Sequence, residues 1–260
     1  MGTKSNSIQK ALCQALESSI RLPTRVEKSR TVANIVMSRG TAIKSPNFAS
    51  ITANDLELLF DSIDNEYFAG NVRAIADDLG RPVSFRVSRR MTNSGGVTTT
   101  RYPANKRNPI EYEIAIASTL LFESFRDSKA ISVTGMLCTN RLQAVQRVME
   151  HEMIHLIEML IWNDSSCAAR RFQGIARRLF GHKQSSHQLI TPADTARSKF
   201  DIHTGDWVEF RVQGRPLLGY VNRITKRATV LVPSRQGIRY DDGKSYLKYY
   251  VPIHQLRKAS

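Results

Sequence analysis

The run from Leu142 to Ile161 contains no glycine or proline and carries the motif His151-Glu-Met-Ile-His155. Its apolar residues recur at helical spacing, so the run predicts a helix of about five turns. Positions i and i+4 of a helix lie one above the other on the same face. His151 and His155 can therefore reach one metal ion, with Glu152 beside the first of them. The fold must accommodate this helix together with its polar side chains.

The apolar pattern predicts that the helix is largely buried. Two histidines and two glutamates, Glu150 and Glu152, are costly in such a helix unless partners satisfy them. A bound metal ion would satisfy the histidines, and a hydrogen-bonded pair of core histidines is the alternative. We favour the metal. The apolar residues that define the pattern are Leu142, Val145, Val148, Met149, Ile154, Ile157 and Leu160.

An H-E-x-x-H motif on a helix is typical of zinc peptidases. In that chemistry the two histidines bind Zn²⁺, and the ion lowers the pKa of a bound water toward neutrality. Glu152 would then act as the general base that takes a proton from the water. The motif therefore predicts a zinc-dependent peptidase with Zn²⁺ as its cofactor.

The charge balance points to an anionic partner. The chain of 260 residues has a net charge of +15 and a pI of about 10.1. Such a surplus is typical of proteins that bind nucleic acid, although a protein can also be basic without such a partner. An anionic membrane surface is the other kind of partner that such a charge can serve. We expect nucleic acid, and the peptidase motif adds protein substrates.

Cysteine usage and hydropathy bound the compartment. Cys13, Cys138 and Cys167 are scattered and odd in number, so we expect no disulfide framework and a reducing compartment. No apolar signal region begins the sequence, and no uncharged apolar run approaches membrane-spanning length. The expected location is the cytoplasm, at the nucleoid if the source is bacterial, without a membrane partner.

Periodicity and turn signals predict an α+β chain with four parts. Residues 1–46 form a helical and basic extension, in which residues 21–46 are a linker, a short helix or a nucleic-acid-binding arm. Residues 47–190 form the domain that holds the motif. Its first helix begins after Thr52 and stops at Gly70, and strands follow at Val83–Ser88, Val97–Tyr102 and Tyr112–Ala117. Residues 191–202 are a linker, and residues 203–260 are the fourth part.

A basic amphipathic helix is predicted from Ala168 to Phe180, with Gly181 as its end. The arginines on its polar face are candidates for contacts with nucleic-acid phosphates. These candidates are Arg170, Arg171, Arg177 and Arg178.

Residues 203–260 read as four or five short strands joined by tight turns, which predicts a small β-barrel. Basic and aromatic residues alternate along these strands and would suit phosphate contacts and base stacking, with Arg223, Lys226 and Arg227 as the leading basic candidates. The alternative is an aromatic barrel core with solvated charges. The other residues of this pattern are Arg211, Arg215, Arg239, Lys244, Lys248, Trp207, Tyr220, Tyr240, Tyr246, Tyr249 and Tyr250.

Residues 51–189 resemble the SprT-like family of zinc metallopeptidases. The resemblance is carried by Leu59-Phe-Asp-Ser-Ile-Asp-Asn-Glu-Tyr-Phe-Ala-Gly70, by the strand pair around Arg90-Met-Thr and Glu113-Ile-Ala-Ile, and by the motif with the Phe172…His182 segment after it. It implies a zincin-like core and cleavage of proteins bound or crosslinked to DNA. It also implies that His151 and His155 bind zinc and that Glu152 activates water. The C-terminal strands resemble small barrels of the KOW or Tudor type.

The sequence departs from this family at the third zinc ligand. Family members often have His-Gly-Pro about four residues before the phenylalanine that matches Phe172, whereas this chain has Ser165-Ser-Cys167-Ala-Ala. We favour Cys167 as the third ligand, because a thiolate binds zinc and the following helix favours its charge. His182 and His187 are the alternatives. Glu158 lies too far along the helix to share the ion, and we expect it either to contact the ligands or to lie at the surface.

A second function remains open. If four protein side chains close the metal site, for example His151, His155, Cys167 and a loop histidine, zinc would be structural. The chain would then be a non-catalytic, zinc-stabilised module that binds nucleic acid.

Overall fold

The computed structural model describes residues 2–102, 104, 110–127 and 129–259. The chain divides into two compact units, Met1–Leu189 and Ile190–Ser260. The protein is mixed α+β, as predicted. The first unit contains, in order, α1 (Gly2–Glu17), α2 (Leu22–Arg39), α3 (Ala53–Phe68), α4 (Asn71–Asp78), β1 (Val83–Ser88), β2 (Gly96–Arg101), β3 (Glu111–Ala117), α5 (Ser118–Ser124), β4 (Ile131–Val133), β5 (Met136–Cys138), α6 (Arg141–Trp162), α7 (Arg170–Ile175) and one π-helical turn (Ala176–Phe180).

The N-terminal helices belong to the main core of the first unit. Leu12 and Leu16 of α1 and Val32 and Val36 of α2 are buried in the same apolar cluster as the motif helix. Residues 1–46 are thus an integral layer, although an extension was expected. Much of residues 21–46, for which the sequence left three possibilities, forms the 18-residue helix α2. Pro23 lies in its first turn, where the backbone N–H that proline lacks would have no partner within the helix.

A capping box fixes the start of α3. The Thr52 hydroxyl accepts a hydrogen bond from the Asp55 amide, and the Asp55 carboxylate accepts one from the Thr52 amide. The same carboxylate accepts hydrogen bonds from the amides of Thr41 and Ala42, and so anchors the connection that follows α2. The helix ends at Phe68, and left-handed Ala69 and Gly70 follow, as the sequence predicts.

A three-stranded sheet with the order β1-β3-β2 supports the motif helix. The central strand β3 is parallel to β1 and antiparallel to β2, and its residues from Tyr112 to Ala117 are buried. Strand β2 lies at the edge of this sheet and packs against α6. This arrangement sets the motif beside an edge strand.

The motif helix α6 has clear ends. The Asn140 side chain accepts a hydrogen bond from the Gln143 amide at the start, and left-handed Asn163 closes the helix. Most of its residues are buried, including His151 and Glu152, as predicted. The basic helix after it begins at Arg170 and closes with the π-helical turn, where Gly181 has a φ of 76°. The positive φ favours glycine at this position, and the Arg25 guanidinium occupies the space that a Cβ atom would take.

The second unit is mainly antiparallel β with one helix. Its helix α8 (Pro192–Phe200) lies where a linker was expected, begins with a capping box of Thr191 and Asp194, and buries Ala196 in the second core. The strand order is β10-β6-β7-β8-β9, and no pairing among the described residues closes these strands into a barrel. The predicted barrel is therefore an open five-stranded sheet. Its strands are β6 (Trp207–Val212), β7 (Arg215–Ile224), β8 (Ala228–Arg239), β9 (Ser245–Val251) and β10 (Arg257–Lys258), with a 3-10 turn at Ile253–Gln255.

Within the described part of the chain, no helix combines the length and the hydropathy that crossing a bilayer requires.

Candidate metal centre

The helix α6 brings the two motif histidines together as the spacing predicts. The Nε2 atoms of His151 and His155 lie 3.1 Å apart. Two nitrogen ligands of a tetrahedral zinc ion are separated by about 3.3 Å when each zinc–nitrogen distance is about 2.0 Å. The observed separation is close to that value, so the pair fits a shared metal ion.

A short chain of hydrogen bonds determines which nitrogen of His155 is free. The Ser165 hydroxyl donates to Glu158 Oε2 at 2.6 Å and lies 2.7 Å from His155 Nδ1. Because the only hydroxyl proton is given to the carboxylate, Nδ1 of His155 must donate to Ser165 Oγ. The Nε2 atom of His155 then carries a lone pair that faces His151. This is the tautomer that a metal ligand needs.

His151 is held neutral by its surroundings. Burial, and then the neighbouring imidazoles of His187, His155 and His182, lower the pKa of His151 far below its usual range. Its Nδ1 atom is buried without a hydrogen-bond partner. Burial also lowers the pKa of His155, although Glu152 and Glu158 act in the opposite direction. Neutral imidazoles are the form that binds a cation, and the 3.1 Å contact between the two Nε2 atoms is equally the geometry of the alternative, a hydrogen-bonded histidine pair.

Two groups of side chains at this site can hold a metal ion, and His151 belongs to both. One consists of His151, His155 and Cys167, and the other of His151, Glu152 and His187, and within each group the ligand atoms lie within 4.8 Å of one another. The favoured third ligand, Cys167, therefore lies beside the motif histidines. One of its alternatives, His187, lies on the side of Glu152.

Glu152 contacts the edge strand β2. The Thr98 hydroxyl lies 2.8 Å from Glu152 Oε2 and 2.9 Å from the main-chain oxygen of Glu152, and its proton can be donated to either. A Cβ atom at Gly96 would lie 2.8 Å from the Glu152 side chain, so this position has room only for glycine. The strand thus holds the carboxylate from one side without contributing a charge.

His187 approaches Glu152 through a defined tautomer. The Gly96 amide donates to His187 Nδ1 at 3.3 Å, so Nδ1 is an acceptor and the proton resides on Nε2. That Nε2 lies 3.1 Å from Glu152 Oε1, but its direction does not complete a hydrogen bond. In this tautomer His187 offers an N–H group at the site, whereas a metal ligand would need a lone pair there. The geometry therefore favours Cys167 over His187 as the third ligand.

The other alternative ligand, His182, belongs to a separate buried network. Its Nε2 atom lies 2.9 Å from Glu150 Oε2, and the same carboxylate oxygen lies 2.7 Å from Arg147 Nη1. Gln146 donates to the other oxygen of Glu150. His182 is in neither of the metal-competent groups found among the described residues.

The arginines after the motif divide into two kinds. Arg171 pairs with Glu158 at 2.6 Å and its guanidinium lies over the Trp162 ring, while Arg178 donates to the Leu16 main-chain oxygen at 2.8 Å. These two arginines hold the unit together. Arg170 and Arg177 have exposed side chains. They remain candidates for phosphate contacts.

In the second unit, Arg223, Lys226 and Arg227 are exposed. The aromatic residues named with them lie on two different faces. Tyr249 packs near the second core, where its ring centroid is 5.5 Å from that of Phe210. Trp207, Tyr220 and Tyr246 follow one another across the opposite face.

Sequence reasoning missed Gly96, Thr98 and Ser165. Gly96 directly precedes the predicted strand Val97–Tyr102, and a glycine at such a place can signal a close approach of another element to the strand. Thr98 follows Gly96 by two residues and so lies on the same face of β2. Ser165 carries no signal of its own, because only the turn after α6 brings it to His155.

No family model, curated protein or solved structure matches this chain. The geometry of the site therefore carries the argument for function.

Proposed function

We propose that the protein is a zinc-dependent endopeptidase of SprT-like type, with a zincin-like core, that acts on proteins associated with or crosslinked to DNA. One observation supports this most strongly. The buried His151 and the half-buried His155 direct nitrogen atoms at each other beside Cys167, while the adjacent Glu152 has no fixed cationic partner among the described residues. His151, His155 and Cys167 would hold the ion.

A zinc ion in this position would polarise the scissile carbonyl and lower the pKa of a water. Glu152 removes a proton from the attacking water and later delivers it to the leaving amine. Thr98 orients the Glu152 carboxylate by donating to Oε2. The Nε2–H group of His187 lies next to Oε1 and is placed to donate to an oxygen that gains negative charge.

Nucleic acid would provide specificity by location. The net charge of +15 favours binding to phosphates, and proteins on the same nucleic acid would then reach a high effective concentration at the site. Such an enzyme needs little recognition of side chains in its substrate. The resemblance over residues 51–189 supports DNA-bound or DNA-crosslinked proteins as substrates.

The second candidate is a structural zinc site in a nucleic-acid-binding module. The proximity of His187 to His151 favours it, because a rotated His187 could supply a fourth protein ligand. The two candidates differ in what they require of Glu152, which is a base in the first and a bystander in the second.

The decisive experiment compares the wild type with Glu152→Gln on a DNA–protein crosslink, with and without free DNA, after the zinc content of each is measured. Glu17→Gln, on the exposed end of α1, is the matched control. We expect cleavage by the wild type and the control, and a loss of about a hundredfold or more in Glu152→Gln with zinc retained.

Cleavage that persists in Glu152→Gln contradicts the proposed mechanism. Stoichiometric zinc without cleavage by any of the three proteins favours the structural site. Proteins without zinc contradict both candidates.

A further inference from the structure

The C-terminal sheet has one face that does not pack on the second core. Strand pairing sets Trp207 opposite Tyr220, Tyr220 opposite Leu231, and Leu231 opposite Lys248. Because directly paired residues share a face, these four form one row across β6, β7, β8 and β9. The residues that alternate with them form the second core, and these are Val208, Phe210, Val221, Val230 and Val251.

Aromatic rings form a continuous ladder on this face. The centroid of Tyr220 is 6.0 Å from that of Trp207 and 5.4 Å from that of Tyr246, and Tyr240 follows at 5.5 Å from Tyr246. The ladder has a rigid base, because Leu231 is buried beneath it and the Tyr246 hydroxyl donates to Asp242 at 2.7 Å. The face is therefore an ordered aromatic platform.

One end of the ladder is exposed, and so is a further aromatic residue that lies outside the ladder on the same face. Trp207 is 46% exposed, and Tyr250 is 63% exposed on the same face of β9, opposite Thr229. Between their strands lie three strand-to-strand steps, or about 14 Å. Two large aromatic surfaces are thus available at separate points of one face.

Unpaired positive charge surrounds these aromatic groups. Arg223 is paired with Thr229 in the sheet, and so shares the face with Lys248. Neither has an ion pair among the described residues, although the Lys248 ammonium lies 5.9 Å from the centroid of the Tyr240 ring. Glu209 lies on the same face, and Asp242 contacts it through the Tyr246 hydroxyl. The second unit has thirteen lysines and arginines against six acidic residues. The surface thus complements a polyanion.

We propose that this face binds single-stranded nucleic acid, with bases stacked on Trp207 and Tyr250 and phosphates held by Arg223 and Lys248. Every base offers an aromatic surface for stacking, whereas a duplex buries those surfaces within itself. The inference rests on the proposed function only in that nucleic acid is the partner expected there. It needs no metal and no peptide cleavage, so either proposal can fail while the other stands.

The test measures binding of the full chain to three labelled probes by fluorescence anisotropy. The probes are an oligothymidine of about 12 nucleotides, an abasic strand with the same number of phosphates, and a duplex of the same length. We expect the oligothymidine to bind about tenfold or more tightly than the abasic strand. The two probes carry the same number of phosphates and differ in the presence of bases.

Variants locate the site. Trp207→Ala and Tyr250→Ala are each expected to weaken oligothymidine binding about five- to tenfold and to leave abasic binding unchanged, while Trp207→Phe retains most of the affinity. Arg223→Ala should weaken binding of both strands. The sequence pattern includes Arg215 among the basic candidates, but its pairing with Val212 places it on the other face, so Arg215→Ala is the matched control that removes the same charge from an exposed position there. It should change binding less than twofold.

Intrinsic fluorescence gives a second readout. Trp162 and Trp207 are the two tryptophans of the chain, so Trp162→Phe leaves Trp207 as the sole reporter. Oligothymidine should quench its emission, and the abasic strand should not. Equal affinity for oligothymidine and abasic strand, tighter binding of the duplex, absence of binding, or equal effects of Arg215→Ala and Arg223→Ala would each overturn the proposal.

Discussion

Glu150 and Glu152 lie two residues apart on α6, and both carboxylates are buried. Glu150 is neutralised by Arg147 at 2.7 Å and also contacts His182 at 2.9 Å. Glu152 has no arginine or lysine partner within the described ranges, and its neighbours are the Thr98 hydroxyl and His187. A buried charge without a fixed counter-charge is costly. The difference therefore separates a structural carboxylate from one that is prepared for a proton or a cation.

Asp55 provides a third case that sharpens this comparison. Its buried carboxylate has no cationic partner in the described structure, but hydrogen bonds from the Thr52 hydroxyl and from the amides of Thr41, Ala42 and Thr52 surround it. Fixed dipoles can thus replace a cation. Glu152 accepts far fewer such hydrogen bonds, so its charge is compensated neither by a cation nor by a full set of fixed dipoles.

The largest expected effect is the difference in stability between the Glu150→Gln and Glu152→Gln variants. In Glu150→Gln the buried Arg147 loses its counter-charge, and we expect the free energy of unfolding to fall by about 3–5 kcal/mol. In metal-free Glu152→Gln we expect a change of less than about 1 kcal/mol or a gain, because a costly buried charge is removed. Urea denaturation of both variants measures this. Equal losses in the two would remove the distinction between the carboxylates.

Zinc is expected to stabilise the protein by binding beside Glu152, and the network around Glu150 should take no part in this gain. Zinc at about a hundred times its dissociation constant should raise the free energy of unfolding by about 2.7 kcal/mol in the wild type. His151→Ala should abolish this gain, whereas His203→Ala, an exposed histidine of the second unit, should preserve it. Thermal melts with zinc and with a chelator provide the measurement. A gain that survives in His151→Ala would place the ion elsewhere.

Ser165 should affect the zinc affinity only through its hydrogen bond to His155. In Ser165→Ala the chain from Glu158 to His155 Nδ1 is broken, and zinc affinity should fall about 10- to 100-fold. Competition with a chromophoric chelator measures the affinity, and the exposed neighbour Ser166 provides the control variant Ser166→Ala. If both variants bind zinc as the wild type does, the tautomer of His155 is not set by Ser165.

The smallest effect concerns Asp55 and pH. Burial alone would raise the pKa of Asp55, but the hydrogen bonds from Thr52, Ala42 and Ile43 bring the pKa below its ordinary value. Because the folded pKa is lower than the unfolded one, this carboxylate stabilises the fold above about pH 4, and the contribution is lost as the pH falls through the folded pKa. Asp55→Asn should therefore cost about 1 kcal/mol near neutral pH and less near pH 3. A pH-independent difference in urea denaturation would contradict this account.

The sequence predicts well those features that depend on local periodicity. The motif helix, the start of α3 after Thr52 and the strands β1 and β3 follow from spacing and capping signals within a few residues. The α2 helix was harder to predict, because most of its residues are polar and only Val32 and Val36 are buried against the core. Amphipathic helices with a narrow apolar face resemble linkers until their partner is known.

The site was predictable only where the helix itself determines the geometry. The i, i+4 relation gives His151 and His155, but the positions of Cys167 and His187 depend on how two loops return to α6. Arg147 lies three residues before Glu150 on the same helix, so the sequence could have indicated this ion pair, whereas His182 reaches Glu150 from a different segment. The predicted closure of the C-terminal strands failed for the same reason, because strand number does not determine whether the first and last strands meet.

Gly96 also has a consequence for how relatives of this chain can be recognised. A protein that places its motif glutamate against an edge strand in this way must keep a residue without a Cβ atom there, with a hydroxyl-bearing residue two positions later. The signature of the site is therefore longer than five residues. It begins with Gly96-x-Thr98, continues with the histidine motif, and ends with Ser165-x-Cys167. A search with that spaced pattern would select for the architecture of the pocket, which the five-residue motif alone does not specify.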